Sequence, residues 1–280
     1  MKTAADLSGY KKNITSQFGE DGIIEEILNR IGIENAFCVE FGAWDGKHFS
    51  NTWQLWHDKA WSAVLIEGNP DKVVQLEKSL AEFKKVVACC AYVGLAGENT
   101  LDAILEKVGA PRIIDVLSID IDGNDYHVFE SINLFSARVV LVEFNPTIPP
   151  HVELVAAPGN YFGSSALSIC KLAKAKNYSL AACTTANLIF VRNADFDKLG
   201  FDEPMLAEIM PTDCLTYVIT AFDGTSYLSR RPPYKDLRKP SLWGLLKAYG
   251  RNLLGKKNDD FVVLKKQMDT ITPVSIYSGF

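Results

Sequence analysis

Phe37-Cys38-Val39-Glu40-Phe41-Gly42-Ala43-Trp44-Asp45-Gly46 is an apolar run that ends in an acid and then breaks into a glycine turn. Such a turn constrains the fold strongly. Open α/β sheets hold their ligands at the carboxyl ends of the strands, where backbone approaches the ligand closely and a side chain would obstruct it. The next apolar run, Trp61-Ser62-Ala63-Val64-Leu65-Ile66-Glu67, ends in a second acid about 25 residues beyond the first glycine, where a ribose-binding carboxylate belongs. Together the two runs predict a nucleoside pocket.

The rest of the first two hundred residues repeats this rhythm. Ile23, Ile24, Ile27, Leu28 and Ile31 recur at helical spacing after Glu20-Asp21, whose carboxylates complement a helix N-terminus. The spacing predicts strands near 37–42, 61–67, 85–93, 116–121 and 139–144. Helices are expected between them, one beginning near Asn51 as N-cap, one carrying Val73 to Phe83, one over 101–108 and one around Val128, Phe129 and Ile132. Parallel neighbours need crossover connections, so the alternation predicts a mostly parallel sheet with helices on both faces. After an amphipathic helix at 166–176, Tyr178 to Cys183 and Leu188 to Val191 are separated by only a few residues around Thr184-Thr185-Ala186. So short a link predicts a hairpin and an antiparallel last strand in a sheet of seven.

From about residue 200 the pattern changes. Pro204, Pro211, Pro232, Pro233, Pro240 and Pro273 break the rhythm, which predicts a main domain over 1–198, with its N-terminal helix at about 16–32, and a C-terminal appendage over 199–280. Within the appendage, residues 241–257 interleave Leu242, Trp243, Leu246 and Tyr249 with Lys247, Arg251, Lys256 and Lys257. A basic amphipathic helix of this kind docks on a membrane surface, on a lipid-linked substrate, on its own domain or on another subunit of a homo-oligomer.

Two cofactor classes use a strand, glycine turn, helix and acid. A pyrophosphate cradle needs small residues at three positions so that backbone amides reach the phosphates, and here Trp44 fills the middle slot, which disfavours an NAD-linked oxidoreductase. S-adenosylmethionine has no phosphate and tolerates that bulk. On Glu40, Gly42 and Gly46, and on the strings Ser16-Gln17-Phe18-Gly19-Glu20-Asp21, Ile119-Asp120-Ile121-Asp122-Gly123-Asn124-Asp125 and Glu143-Phe144-Asn145-Pro146, the chain resembles the FkbM-type branch of the class I S-adenosylmethionine-dependent methyltransferases over residues 10–195. The resemblance implies a Rossmann-like three-layer sandwich and a cofactor pocket drawing on Gln17, Glu40, Gly42, Asp45, Gly46, Asn51, Glu67, Asn69, Ala91 and Asp120. Glu40 and the loop to Gly46 would hold the methionine end, Glu67 the ribose hydroxyls, and Asn69 would lie beside the adenine. It also implies a hydroxyl of a sugar or glycan precursor as methyl acceptor. A noncatalytic assembly protein retaining the fold is the alternative from another class.

The chemistry is expected at two strand ends. If the chain stays extended there, Asp120 and Asp122 face one space, and Glu143 and Asn145 join them from the neighbouring strand. Oxygen donors gathered this way suit a hard cation, Mg²⁺ above all. Metal-dependent sugar and catechol O-methyltransferases carry acids and an amide at these strand ends, and that resemblance assigns Asp120, Glu143 and Asn145 to the metal and Asp122 to the acceptor's proton. The plainer alternative has Asp120 touching the cofactor and Asp122 capping the next helix. The Asp-x-Asp-Gly string is no calcium loop, since it lacks a glycine at position six and a glutamate at position twelve. His127, one turn further on, is a second candidate base. His48 and His151 lie in flanking loops, and His57 sits among Trp53, Trp56 and Trp61.

Composition narrows the class. A formal net charge of -5 gives no sequence-wide basic field for nucleic acid. The six cysteines show no C-x-x-C spacing and read as reduced core thiols. The first residues lack the apolar stretch of a signal peptide, and no run reaches the length of a spanning helix, so a cytoplasmic protein is expected.

Overall fold

The computed structural model describes residues 7–215, 217–220, 222–223 and 226–228. The chain divides into two compact units, residues 1–212 and 213–280. In the second, the described strands Val218–Thr220 and Ser226–Leu228 pair antiparallel. The segment 241–257, read above as a basic amphipathic helix, lies outside the described residues. No helix among the described residues is long and apolar enough to cross a membrane.

The first unit is built on seven strands: β1 (Phe37–Phe41), β2 (Ser62–Glu67), β3 (Val86–Cys90), β4 (Ile113–Ile119), β5 (Ser136–Glu143), β6 (Tyr178–Cys183) and β7 (Asn187–Arg192). Their order is β3-β2-β1-β4-β5-β7-β6. β1 to β5 run parallel, and β7 lies antiparallel between β5 and β6. This is the mostly parallel seven-stranded α/β sheet that the sequence predicts. The chain leaves β1 in one direction along the sheet and β4 in the other, so the crevice between their carboxyl ends is the switch point where such sheets bind ligands.

Each helix has a local cause. α1 (Glu20–Ile31) buries Ile23, Ile24, Ile27, Leu28 and Ile31 in the main core with Val116, Val139 and Ile189. α2 (Pro70–Ser79) starts with Pro70 at its first turn, and the Asn69 side chain accepts the Asp71 N–H. α3 (Leu101–Lys107) and α5 (Ala166–Ala175) are capped by Thr100 and Ser165. α4 is Asp125–Ser131. Leu199 and Phe201 are buried in the same core.

Two expectations fail. No regular helix begins at Asn51; residues 50–52 wrap instead around the Glu40 carboxylate, and only a short π-helical turn, Gln54–Asp58, follows. β4 and β5 also begin earlier than the apolar pattern suggests. Asp115 and Arg138, charged residues inside the strands, are buried and paired with each other at 3.0 Å.

Candidate functional site

Gly42 follows β1 and Asp120 follows β4, and their backbones meet at the switch point. A Cβ on Gly42, whose φ is +63°, would lie 2.4 Å from the Asp120 carbonyl oxygen. Only glycine lets the two strand ends close this tightly. Above them opens a cavity of about 700 Å³, within the range of small-molecule sites.

Of the residues expected to bind cofactor, Gln17, Glu40, Gly42, Asn51, Glu67, Asn69, Ala91 and Asp120 all line this cavity, as do Asp122 and Glu143. Asp45 and Gly46 do not. Asp45 accepts the N–H groups of Lys47 (2.9 Å) and His48 (2.7 Å), holding the loop's shape, while Gly46 packs inward near Leu76 and Trp56. Gln17 is presented by a clamp beneath it, in which one Asp21 oxygen accepts the N–H groups of Ile14, Thr15 and Ser16.

The glutamates of β1 and β2 make different contacts. Glu40 is buried and accepts from the Ser50 hydroxyl (2.5 Å), the Asn51 N–H (2.6 Å) and the Thr52 hydroxyl (2.8 Å). Burial pushes its carboxyl up to about 6, with those three bonds opposing the shift. These bonds hold residues 50–52 around the carboxylate, with Ser50 and Asn51 in the cavity wall. Asn51, no helix cap, passes the order on by donating to Ser118 at 3.0 Å. Glu67 accepts the main-chain N–H of Trp44 (3.0 Å) and of Asn69 (2.8 Å), which fixes its carboxylate at the cavity wall.

At the ends of β4 and β5 the carboxyl side chains of Asp120 and Glu143 are hydrogen-bonded to each other. Burial raises both, Asp120 to about 6 and Glu143 well above the usual carboxylate range, and the neighbouring acids add to it. β4 ends at Ile119 and Asp122 takes a left-handed φ of +55°, so strand alternation does not extend to Asp122. The turn nevertheless returns both aspartates to the cavity. Asp122 does not cap α4, whose N-cap residue is Asn124. The buried Asp125 grips the turn instead, accepting the N–H groups of Ile121 (2.8 Å) and Gly123 (2.9 Å).

The expected Mg²⁺ site is not assembled. Asn145 Oδ1 accepts from the Thr147 N–H (2.9 Å) and hydroxyl (2.6 Å), and its Nδ2 donates to the Phe162 carbonyl (2.7 Å). Its amide is thus committed to the following loop and absent from the cavity lining. The two remaining donors, Asp120 and Glu143, bond each other, and no group of three His, Cys, Asp or Glu among the described residues is arranged to hold a metal. The donor set does not fit a resident divalent ion. His127 is likewise elsewhere: its Nε2 bonds the Ala156 carbonyl at 2.7 Å and it does not reach the cavity.

Sequence reasoning missed the cavity's rim. Phe49, Tyr92 and Tyr161 line it from loops, largely exposed, with Asn124 and Lys72. Trp44 also lines it, at a left-handed φ of +46°, with the Lys72 ammonium 4.2 Å over its ring. Periodicity carries no signal for single loop aromatics. Among the described residues the cavity has five carboxyl side chains, Glu40, Glu67, Asp120, Asp122 and Glu143, and one ammonium, Lys72. That donor set fits a cationic, hydroxyl-bearing cofactor and not a pyrophosphate.

The sheet order, the antiparallel β7 and the cavity at the β1/β4 switch point are those of the Rossmann-like fold of class I S-adenosylmethionine-dependent methyltransferases. The family described as Methyltransferase FkbM domain matches residues 96–180 of the 280. The matched stretch holds the Asp120–Asp125 and Glu143–Pro146 strings, and Glu40 and Glu67 precede it. Among curated proteins none matches. Among solved structures the chain is similar to the citrinin polyketide synthase CMeT domain, with 11% identity, 56% of this chain and 46% of that one covered, and a TM-score of 0.38. The chain therefore spans less than half of that domain. It is also similar to the N-terminal domain of EvdMO1, crystallised in the presence of SAH and D-fucose (10% identity, 62% and 82% covered, TM-score 0.42). A SAM-dependent methyltransferase from Aquifex aeolicus has 10% identity, 66% and 97% coverage and a TM-score of 0.37. Likenesses at this level carry none of the chemistry proposed below.

Proposed function

We propose that this chain transfers the methyl group of S-adenosylmethionine to a hydroxyl of a sugar or glycan precursor. The observation that carries the reading is the acidic lining of the switch-point cavity, five carboxyl side chains against one lysine among the described residues. When bound, the cofactor supplies a methyl group activated by a sulfonium cation. The protein's part is to bind, align and take a proton.

Glu67, already oriented by the Trp44 and Asn69 amides, accepts the ribose hydroxyls. The Gly42 turn and the Glu40-ordered loop enclose the methionine end, with Asn69 on the adenine side. Asp122, exposed at the cavity and in no ion pair among the described residues, takes the acceptor's proton, and Asp120 bonded to Glu143 holds the acceptor oxygen. No step needs a metal ion. A hydroxyl acceptor suits the site because its proton must leave as the methyl arrives, and acids stand where it would go. The sugar class follows from the family resemblance and suits the aromatic rim.

Calorimetry with S-adenosylhomocysteine and with NAD tests the reading. The first should bind and the second should not. Failure of the folded wild-type protein to bind S-adenosylhomocysteine sinks it.

A further inference from the structure

The loop from Phe144 to Ser165, between β5 and α5, is exposed over residues 157–162 yet pinned at several points. The Gly159 N–H donates to Asn124 Oδ1 at 2.7 Å, and Asn145 Nδ2 donates to the Phe162 carbonyl at 2.7 Å. The Phe162 N–H donates to Asn160 Oδ1 at 2.9 Å, and His127 Nε2 bonds the Ala156 carbonyl. At Gly123, beside Asp122, the loop comes closer still. With a φ of +132°, a Cβ on Gly123 would lie 2.5 Å from the Asn160 carbonyl oxygen and 3.0 Å from the Tyr161 Cα. Tyr161 is therefore held by its backbone against the turn that carries Asp122, while its side chain is 87% exposed and lines the cavity.

An aromatic ring left in water has gained nothing from burial. Fixing its backbone so thoroughly makes sense if the ring meets a ligand, because a pre-ordered loop has little entropy left to lose on binding. From these pins and that exposure we infer that Tyr161 is the stacking platform for the methyl acceptor, and that Asn124, Asn145 and His127 are positioning residues that hold it there. This rests on the methyl-transfer reading. The ring offers a flat apolar face, and Asp122 and Asn124 beside it offer hydroxyl partners, which together match the C–H face and the edge of a pyranose.

Saturation-transfer NMR of the full chain, saturated with S-adenosylhomocysteine, tests this with methyl glycosides of fucose, rhamnose and glucose as probes. At least one glycoside should receive saturation at its ring C–H protons. Tyr161→Ala should weaken that binding at least tenfold and Tyr161→Phe should restore it, both with S-adenosylhomocysteine affinity unchanged. Asn145→Ala should weaken glycoside binding and speed amide exchange over residues 157–162, again without loss of S-adenosylhomocysteine. Equal glycoside binding by wild type and Tyr161→Ala overturns the inference, as does binding of none of the three by a protein that holds S-adenosylhomocysteine. Loss of S-adenosylhomocysteine in Tyr161→Ala would move the ring to the cofactor side and overturn it as well. A wild type that binds no S-adenosylhomocysteine would instead overturn the reading beneath it.

Discussion

The main-chain N–H of Trp44 donates to Glu67 Oε2 at 3.0 Å. One bond thus ties the loop after β1 to the acid that ends β2. The bond uses backbone, so the indole is free to line the cavity, and it aims the carboxylate before any ligand arrives.

Glu67→Ala removes an acceptor that the ribose would share. Charge-assisted hydrogen bonds contribute about 1.5–3 kcal/mol each, so S-adenosylhomocysteine affinity should fall by roughly ten- to a hundredfold. The Trp44 and Asn69 amides lose their partner too, at the cavity edge where water can replace it, so thermal stability should fall little. Calorimetry and a melting curve on one sample check both. Unchanged affinity would remove Glu67 from the ribose.

Gly42→Ala should be far more damaging than its size suggests. The new methyl would overlap the Asp120 carbonyl at 2.4 Å, on a residue at φ +63°. Backbone on both sides has nowhere to move without parting β1 from β4. A loss of about 2–4 kcal/mol in urea unfolding is expected, together with loss of S-adenosylhomocysteine binding. Gly97→Ala is the control, since its Cβ would meet nothing within 4 Å at a similar φ of +77°.

Arg138, on β5, is a buried cation. Its guanidinium donates to Asp115 and Asp195 and to the carbonyls of Ile31 and Gly32 at the end of α1. Arg138→Met leaves the buried Asp115 without its cation, while Asp195 keeps Arg192 and Lys198; breaking such a buried pair costs about 3–5 kcal/mol. The melting temperature should drop by roughly 10 °C, with S-adenosylhomocysteine affinity at low temperature unchanged because the network is remote from the cavity.

Much of the fold was legible because it rests on apolar period and turn chemistry. β1, β2, the hairpin of β6 and β7, and α1 each follow from runs of Val, Ile and Leu and from the short link at Thr184-Thr185-Ala186. The starts of β4 and β5 were not legible, since Asp115 and Arg138 read as polar breaks although they neutralise each other in the core. At the site, strand ends announced Glu40, Glu67, Asp120 and Glu143. What they could not announce was direction: Asn145 turns to its own loop and His127 to Ala156, a choice made by contacts distant in sequence. Tyr161 and Asp125 depend on such contacts entirely.

Asn145's commitment has a consequence for metal dependence. With its amide bonded to Thr147 and Phe162, two carboxyl groups remain, and these share a hydrogen bond. Ethylenediaminetetraacetate should leave S-adenosylhomocysteine affinity and any methyl transfer unchanged, and added Mg²⁺ should raise neither. Activity that vanishes with chelator and returns with Mg²⁺ would require Asn145 to turn around.

Acidity should stabilise this protein over a range where most carboxylate-rich folds weaken. Burial raises Glu40 to about 6 and Asp125 to about 7, above the values near 4 expected in the unfolded chain. Groups raised in this way bind protons more tightly when folded, so their contribution is complete below about pH 4 and is lost as pH rises through 6 and 7. Asp195 acts in the opposite sense. Burial alone would raise it, but hydrogen bonds from Arg138, Lys198 and Arg192 outweigh burial and hold it far below the usual range, so its contribution is lost as pH falls below about 4. The ligand-free protein should therefore melt highest near pH 5 and lower at pH 8. For Glu40 alone the rise from 4.5 to about 6 corresponds to about 2 kcal/mol between those limits, and Glu40→Gln should flatten the slope by that amount. Saturating S-adenosylmethionine, a cation among ionised carboxylates, should restore more stability at pH 8 than at pH 5. Melting curves at the two pH values, with and without cofactor, check the sign, and a melting temperature that rises steadily from pH 5 to 8 without cofactor would contradict it.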